Sequence, residues 1–155
     1  MKNVWYYDYP IGTMGIAQEN DAITHVFFKG LGNFDGFEIK ETQLIKKTAT
    51  EIKEYFAGKR KDFDIPLFLS GTDFQKSVWK ALQTIPSGET RSYKDIAIQI
   101  GKPKACRAVG MANNKNPVAI IVPCHRVIGQ DGSLTGYAGG LDAKQYLLNV
   151  EKRNV

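Results

Sequence analysis

The residues with the most chemical potential lie side by side in the run Pro123-Cys124-His125-Arg126-Val127. A thiol, an imidazole and a guanidinium follow one another there, directly after the apolar stretch Ile120-Ile121-Val122. The thiolate is the nucleophilic form of cysteine, and basic or cationic neighbours favour it. The β-branched run predicts a strand buried on both faces. Pro123 lacks a backbone donor and should end that strand, leaving Cys124 at its rigid tip. Neighbouring strand side chains point to opposite faces, so Cys124 and His125 can cooperate only through a water or a local twist. A cysteine in an apolar run otherwise behaves as an inert small hydrophobe. The residues alone therefore make Cys124 a candidate nucleophile.

The elements that must hold it belong to a chain of 155 residues, room for one ordinary domain or two small ones. Its apolar and charged fractions, 43% and 24%, are those of a globular protein. No apolar run approaches membrane-spanning length, and the N-terminus lacks a basic-then-apolar signal pattern. Two cysteines, Cys106 and Cys124, make no disulfide framework, which points to a reducing, cytoplasmic setting. With only His25 and His125 beside them and no CxxC or HxxxH spacing, no metal site and no cofactor are expected. Charge is lopsided. Residues 71–155 carry twelve Lys/Arg against six Asp/Glu, while residues 1–70 carry nine against ten. The net charge of +5 thus comes from the part holding Cys124, which suits a polyanionic partner such as nucleic acid.

The first part reads as antiparallel strands over 4–9, 14–18 and 22–28, with Glu19-Asn20-Asp21 as a turn. Gly30, Gly32, Asn33 and Gly36 mark a loop, and 41–56 has helical spacing. Phe63, Ile65 and Leu67 alternate as a further strand, and His25 reads as structural. Ser70-Gly71-Thr72 is the candidate boundary, dividing 1–70 from 71–155. Thr72 and Gln75 form a capping-box signature ahead of a helix carrying Phe74, Val78, Trp79, Leu82 and Ile85.

Ser92 and Asp95 then cap a helix closed by Gly101, and Lys102-Pro103 opens another after a very short turn, the helix-turn-helix spacing. In the second helix Ala105, Ala108, Val109 and Ala112 recur at core spacing. The opposite face presents Arg107, Gly110 and Asn114, flanked by Lys104 and Lys115, a surface suited to a duplex. Beyond Cys124, the loop Leu134 to Gly140 is glycine-rich with one aromatic, Tyr137, and could let backbone approach a planar ligand closely. Asp142 and Gln145 should cap a last helix with Tyr146, Leu147 and Val150 inward and Glu151 near its end.

The Cys124 motif joined to a helix-turn-helix closely resembles the methylated-DNA–protein-cysteine methyltransferases, which act on 6-O-methylguanine. The likeness extends through Arg91-Ser92-Tyr93, Arg107-Ala108-Val109-Gly110, Asn116-Pro117-Val118 and Gly136-Tyr137-Ala138-Gly139-Gly140. It implies an α+β fold, a small N-terminal mixed, largely antiparallel sheet domain of RNase H type packed on a C-terminal winged helix-turn-helix-like domain. It implies stoichiometric transfer of an alkyl group from guanine oxygen to Cys124, with His125 as base, Glu151 orienting it and Tyr93 donating to the guanine. By the same resemblance a monomer binds double-stranded DNA from the minor groove through Ser92, Lys104, Arg107, Gly110 and Asn114. Arg107 fills the gap left by the flipped nucleotide. Asn116 braces the active-site turn, and Tyr137, Ala138 and Gly139 wall the pocket. Ala138 stands where some relatives carry a serine, and the zinc ligands of some relatives are missing. A cysteine hydrolase is the main rival, disfavoured by a nucleophile at a strand end.

Overall fold

A computed structural model describes residues 1–154, which divide after Leu69 into two compact units. In the first, β1 (Lys2–Tyr9), β2 (Gly12–Glu19) and β3 (Ala22–Phe28) form an antiparallel meander. The short β4 (Glu38–Ile39) adds parallel to β1, giving the order β3-β2-β1-β4. Helix α1 (Gln43–Phe56) begins at an N-cap, Thr42, whose side chain accepts from the Ile45 N–H. Its face of Ile45, Ala49, Ile52 and Tyr55 is buried, as are Val4, Met14, Ile16 and Val26 of the sheet. His25 is half-buried, its Nδ1 2.9 Å from Thr24 Oγ1 and its ring edge-on to Phe34. The strand expected over 63–67 does not form. Only Leu67 bridges to Ile23, because Pro66 has no N–H and offers just its carbonyl, to Ile23 at 2.8 Å.

The second unit is helical around a two-stranded parallel ribbon of β5 (Arg91–Ser92) and β6 (Val127–Ile128). Helix α2 (Asp73–Leu82) starts with the full Thr72–Gln75 capping box, and α3 (Tyr93–Gln99) with the Ser92–Asp95 one. Val78, Trp79 and Leu82 of α2 are buried with Ile96 and Ala97 of α3, and the Trp79 indole donates to Ala112 O at 2.9 Å. Helix α4 (Cys106–Asn114) begins three residues later than the sequence suggests. Its inward stripe is accordingly Val109, Ala112 and Asn113; Ala105 is its N-cap and Ala108 is exposed. Helix α5 (Leu141–Arg153) starts at Gly140, at φ +94°, with no side-chain cap from Asp142 or Gln145. Leu147, Val150 and Glu151 face inward, whereas Tyr146 is exposed. The class is α+β, as expected. No helix among the described residues is long and apolar enough to cross a membrane.

Candidate active site around Cys124

Residues 120–122 are not a strand. The chain turns tightly, with the Ile121 N–H donating to Ala119 O (2.8 Å) and the Val122 N–H to Val118 O (3.1 Å). Ile120 sits at φ +71°, a conformation a β-branched residue rarely adopts and one that must be over-determined by its surroundings. Asn116 supplies that restraint. Its Oδ1 accepts from the Val118 N–H (3.0 Å), and its Nδ2 donates to Val122 O (2.7 Å) and Val118 O (3.3 Å). Cys124–Arg126 then form one 3-10 turn, in which successive side chains fan out instead of alternating across a strand. That geometry removes the objection that neighbouring residues must face apart.

Helix α5 brings Glu151 to this turn. His125 Nε2 lies 2.6 Å from Glu151 Oε2, and Arg126 donates to the same carboxylate through Nε (2.8 Å) and Nη2 (2.9 Å). Arg126 Nη1 also reaches Ile85 O at 2.6 Å, so its charge is directed at Glu151 and the core, not at the thiol. His125 and Glu151 are buried at 0% and 2% exposure. Burial alone would raise the Glu151 carboxyl pKa, but the hydrogen bonds and charges of His125 and Arg126 outweigh it and hold the carboxyl far below the usual range. Burial lowers the His125 pKa, against the pull of Glu151. The imidazole is therefore neutral near pH 7. An ionised carboxylate only accepts, so Nε2 carries the proton and Nδ1, which has no hydrogen-bond partner, presents a lone pair.

Cys124 is a free, buried thiol, 6% exposed. Burial raises its pKa; the Asn116 amide, the Lys144 charge and nearby backbone donors only partly oppose this. The expectation that its neighbours favour thiolate is thus overturned for the resting protein: the cation beside it in sequence is spent on Glu151, and the thiol is desolvated.

Two residues of the site escaped the sequence reading. Lys144 is fully buried; its Nζ donates to Val127 O (2.6 Å) and Thr135 O (2.7 Å), tying the glycine-rich loop to β6. Burial brings its pKa down to about 8, while the charge of Cys124 acts the other way. Asn113, on the inward stripe of α4, donates through Nδ2 to Cys124 O at 3.3 Å. A lysine four residues into a helix carries no sequence signal for burial, whereas a polar residue at core spacing, four after Val109, could have marked Asn113.

The other anticipated residues fall into two groups. Tyr137 is close enough to Cys124 and Glu151 for both to act on its phenol, whose pKa burial raises. Tyr93 Oη donates to Thr135 O (3.3 Å) and accepts from Thr135 Oγ1 (3.0 Å). A Cβ on Gly110 would lie 3.7 Å from the Tyr93 ring, and one on Gly136 would lie 3.1 Å from the Asn114 amide. Gly110 and Asn114 of α4 thus border Tyr93 and the glycine-rich loop. By contrast Lys104, Arg107 and Ala138 are exposed, Gly139 is half-buried, and Ser92 Oγ is engaged as the α3 cap. Among the described residues no group of three or more His, Cys, Asp or Glu is placed to hold a metal ion.

A buried free thiol followed at once by a neutral, buried imidazole is a set of groups suited to covalent, nucleophilic chemistry. Residues 73–153 match the DNA binding domain of 6-O-methylguanine DNA methyltransferase, and residues 4–69 match the ribonuclease-like domain of the same family. The chain belongs to the 6-O-methylguanine DNA methyltransferase family. It is 52% identical to a methylated-DNA–protein-cysteine methyltransferase of Methanosarcina barkeri, over 97% of this chain and 99% of that one. A constitutive Bacillus subtilis relative of the same name is 49% identical, over 92% and 91%. Among solved structures, Mycobacterium tuberculosis OGT in complex with DNA superposes with a TM-score of 0.94 at 47% identity, covering 98% of this chain and 94% of that one.

Proposed function

We propose that the protein repairs DNA by transferring the alkyl group of 6-O-alkylguanine to Cys124 Sγ, once per molecule. The observation that carries this reading is the buried His125–Glu151 pair at 2.6 Å, which leaves Nδ1 as a base one residue from the thiol. His125 takes the thiol proton through a water. The sulfur attacks the saturated carbon of the alkyl group as its C–O bond breaks, and the electron pair passes into the guanine. Tyr93 turns its O–H from Thr135 to the ring and supplies the proton that neutralises it; His125 then releases the thiol proton to solvent, and solvent returns one to the Tyr93 oxygen. The product is a thioether with no hydrolysable bond, so the protein is consumed. The raised thiol pKa fits this order: the sulfur stays protonated until the base removes its proton beside a bound substrate.

A base inside a duplex cannot reach a buried thiol, so the nucleotide must be flipped. Double-stranded DNA is the partner, approached from the minor groove by α4, with exposed Arg107 entering the stack and exposed Lys104 and Asn114 near the backbone. The structure of a 47% identical relative with DNA supports this partner. Ser92 contributes from the start of α3, and Gly110 keeps α4 close to Tyr93. Asn116 braces the turn, and Tyr137, Ala138 and Gly139 line the pocket. The protein acts as a monomer, in a reducing cytoplasm that keeps Cys124 free. The test is a titration of duplex carrying labelled 6-O-methylguanine. Label should plateau at one equivalent per protein and vanish in Cys124→Ser; continued turnover, or labelling of the variant, overturns the reading.

A further inference from the structure

We propose that Met111 is a second wedge on α4: its thioether enters the groove of the duplex one helical turn from Arg107, loosens a base step there, and makes repair depend on the sequence flanking the lesion. The inference rests on the repair reading above. The exposed residues of α4 are Arg107, Ala108, Met111 and Asn114, and only Arg107 and Met111 among them carry long, unbranched side chains. A single exposed apolar residue is ordinary on a protein surface. Met111, 61% exposed, differs in its place, on the face that Arg107 turns to DNA. It overhangs a cavity of about 210 Å³ whose lining includes Phe74, Ala108 and Lys115, so the thioether has room to turn. A duplex is the occupant the charges favour. Lys104, Arg107 and Lys115 are exposed around Met111, and α4 itself holds no acidic residue.

Residues four apart on a helix share a face and lie about 6 Å apart along its axis. Base pairs stack about every 3.4 Å. With α4 lying along the groove, Met111 meets the stack about two steps from the nucleotide that Arg107 displaces. The two side chains act differently there. A guanidinium donates hydrogen bonds, whereas methionine has no donor and only a weak acceptor in its sulfur, so Met111 reads no base edge. It offers a flexible, polarisable body, of the kind that minor-groove proteins push between base steps. The cost of opening a step depends on the step: pyrimidine–purine steps unstack readily, and A-tracts are stiff. Preference thus arises at base pairs that the pocket around Cys124 never touches.

A pair of duplexes tests this. Both carry 6-O-methylguanine between the same neighbours and differ only in the step centred about two base pairs away on each side, TA in one and AA in the other. Single-turnover rate constants are measured at sub-saturating protein, so that binding and flipping both count. The wild type should repair the TA duplex about fivefold faster, a modest share of what unstacking one step costs. Met111→Ala should bring that ratio to about one by slowing the TA duplex, and Met111→Leu, apolar and of similar volume, should restore it. A 2-aminopurine in place of the adenine of that step should brighten when the wild type binds and stay dim with Met111→Ala. A wild type that repairs both duplexes at one rate overturns the proposal, an outcome that needs no variant to fold. So does a context effect that survives in Met111→Ala, or a Met111→Ala that slows free benzylated guanine as much as duplex, the signature of a disturbed fold. If the wild type transfers nothing from either duplex, the repair reading itself fails; transfer without a context effect removes only the role of Met111.

Discussion

Replacing Glu151 by Gln keeps the volume and removes the charge that three donors share. In the native protein its carboxylate accepts from His125 Nε2 and from two nitrogens of Arg126, all buried. The variant leaves a buried guanidinium without its counter-charge, a loss on the order of 3–5 kcal/mol. At roughly 2–4 °C per kcal/mol for a protein of 155 residues, Tm should fall by roughly 6–20 °C. The variant also ceases to dictate which imidazole nitrogen holds the proton, so alkyl transfer should slow by at least about a hundredfold. A double variant, Arg126→Met with Glu151→Gln, separates the two effects. Removing both charges should restore stability to within about 1 kcal/mol of the wild type, because a buried pair replaced as a unit costs little. Transfer should stay slow. Stability is read by thermal and denaturant melts, and transfer by single-turnover labelling. A double variant that regains both stability and rate would refute an orienting role for Glu151, as would a single variant that keeps its wild-type rate.

Acid should expose the same pair. His125 titrates below its ordinary 6.5 in the folded state and Glu151 far below its ordinary 4.5, so in both ranges the unfolded chain binds more protons. Stability should fall as pH drops below 6.5 and again below 4.5, and the lower limb should shrink in Glu151→Gln, measured by melts across pH. Lys144 acts with the same sign at higher pH, titrating at about 8 when folded. Relative to Lys144→Met, the wild type should gain up to about 3 kcal/mol as pH rises from 8 to 10.5, and a constant difference would contradict its buried charge. Asn116→Ala loses three hydrogen bonds that hold Ile120 in its strained turn and should cost about 2–3 kcal/mol by denaturant melts. Arg107→Ala should weaken repair of duplex while sparing reaction with free benzylated guanine; equal losses on both would count against its entry into the stack.

Local chemistry made several elements readable in advance. The Thr72–Gln75 and Ser92–Asp95 caps are side-chain-to-backbone bonds spanning three residues, and both formed where the spacing put them. The meander was legible for the same reason, since β-branched and aromatic runs between turn residues depend little on distant contacts. Tertiary forces decided the rest. Ile120-Ile121-Val122 has strand composition, yet Asn116 bends it into a turn through contacts that composition does not encode. Arg126 follows Cys124 by two residues, but Glu151, 25 positions further on, claims its charge. Within α4, Val109 and Ala112 are buried as their spacing indicated, but the helix starts three residues late, so Ala105 and Ala108 drop out of the stripe and Asn113 joins it. Lys144 is buried because two carbonyls receive it, a fact available only once the loop has closed.

The claim on which all of this turns is that the Cys124 sulfur becomes the permanent home of the alkyl group. Peptide mass spectrometry after reaction with a 6-O-methylguanine duplex tests it directly. One methyl group on the peptide containing Cys124, none on the peptide containing Cys106, and stability to prolonged incubation are the predicted result. Modification elsewhere, or a methyl that is lost again to water, would contradict it.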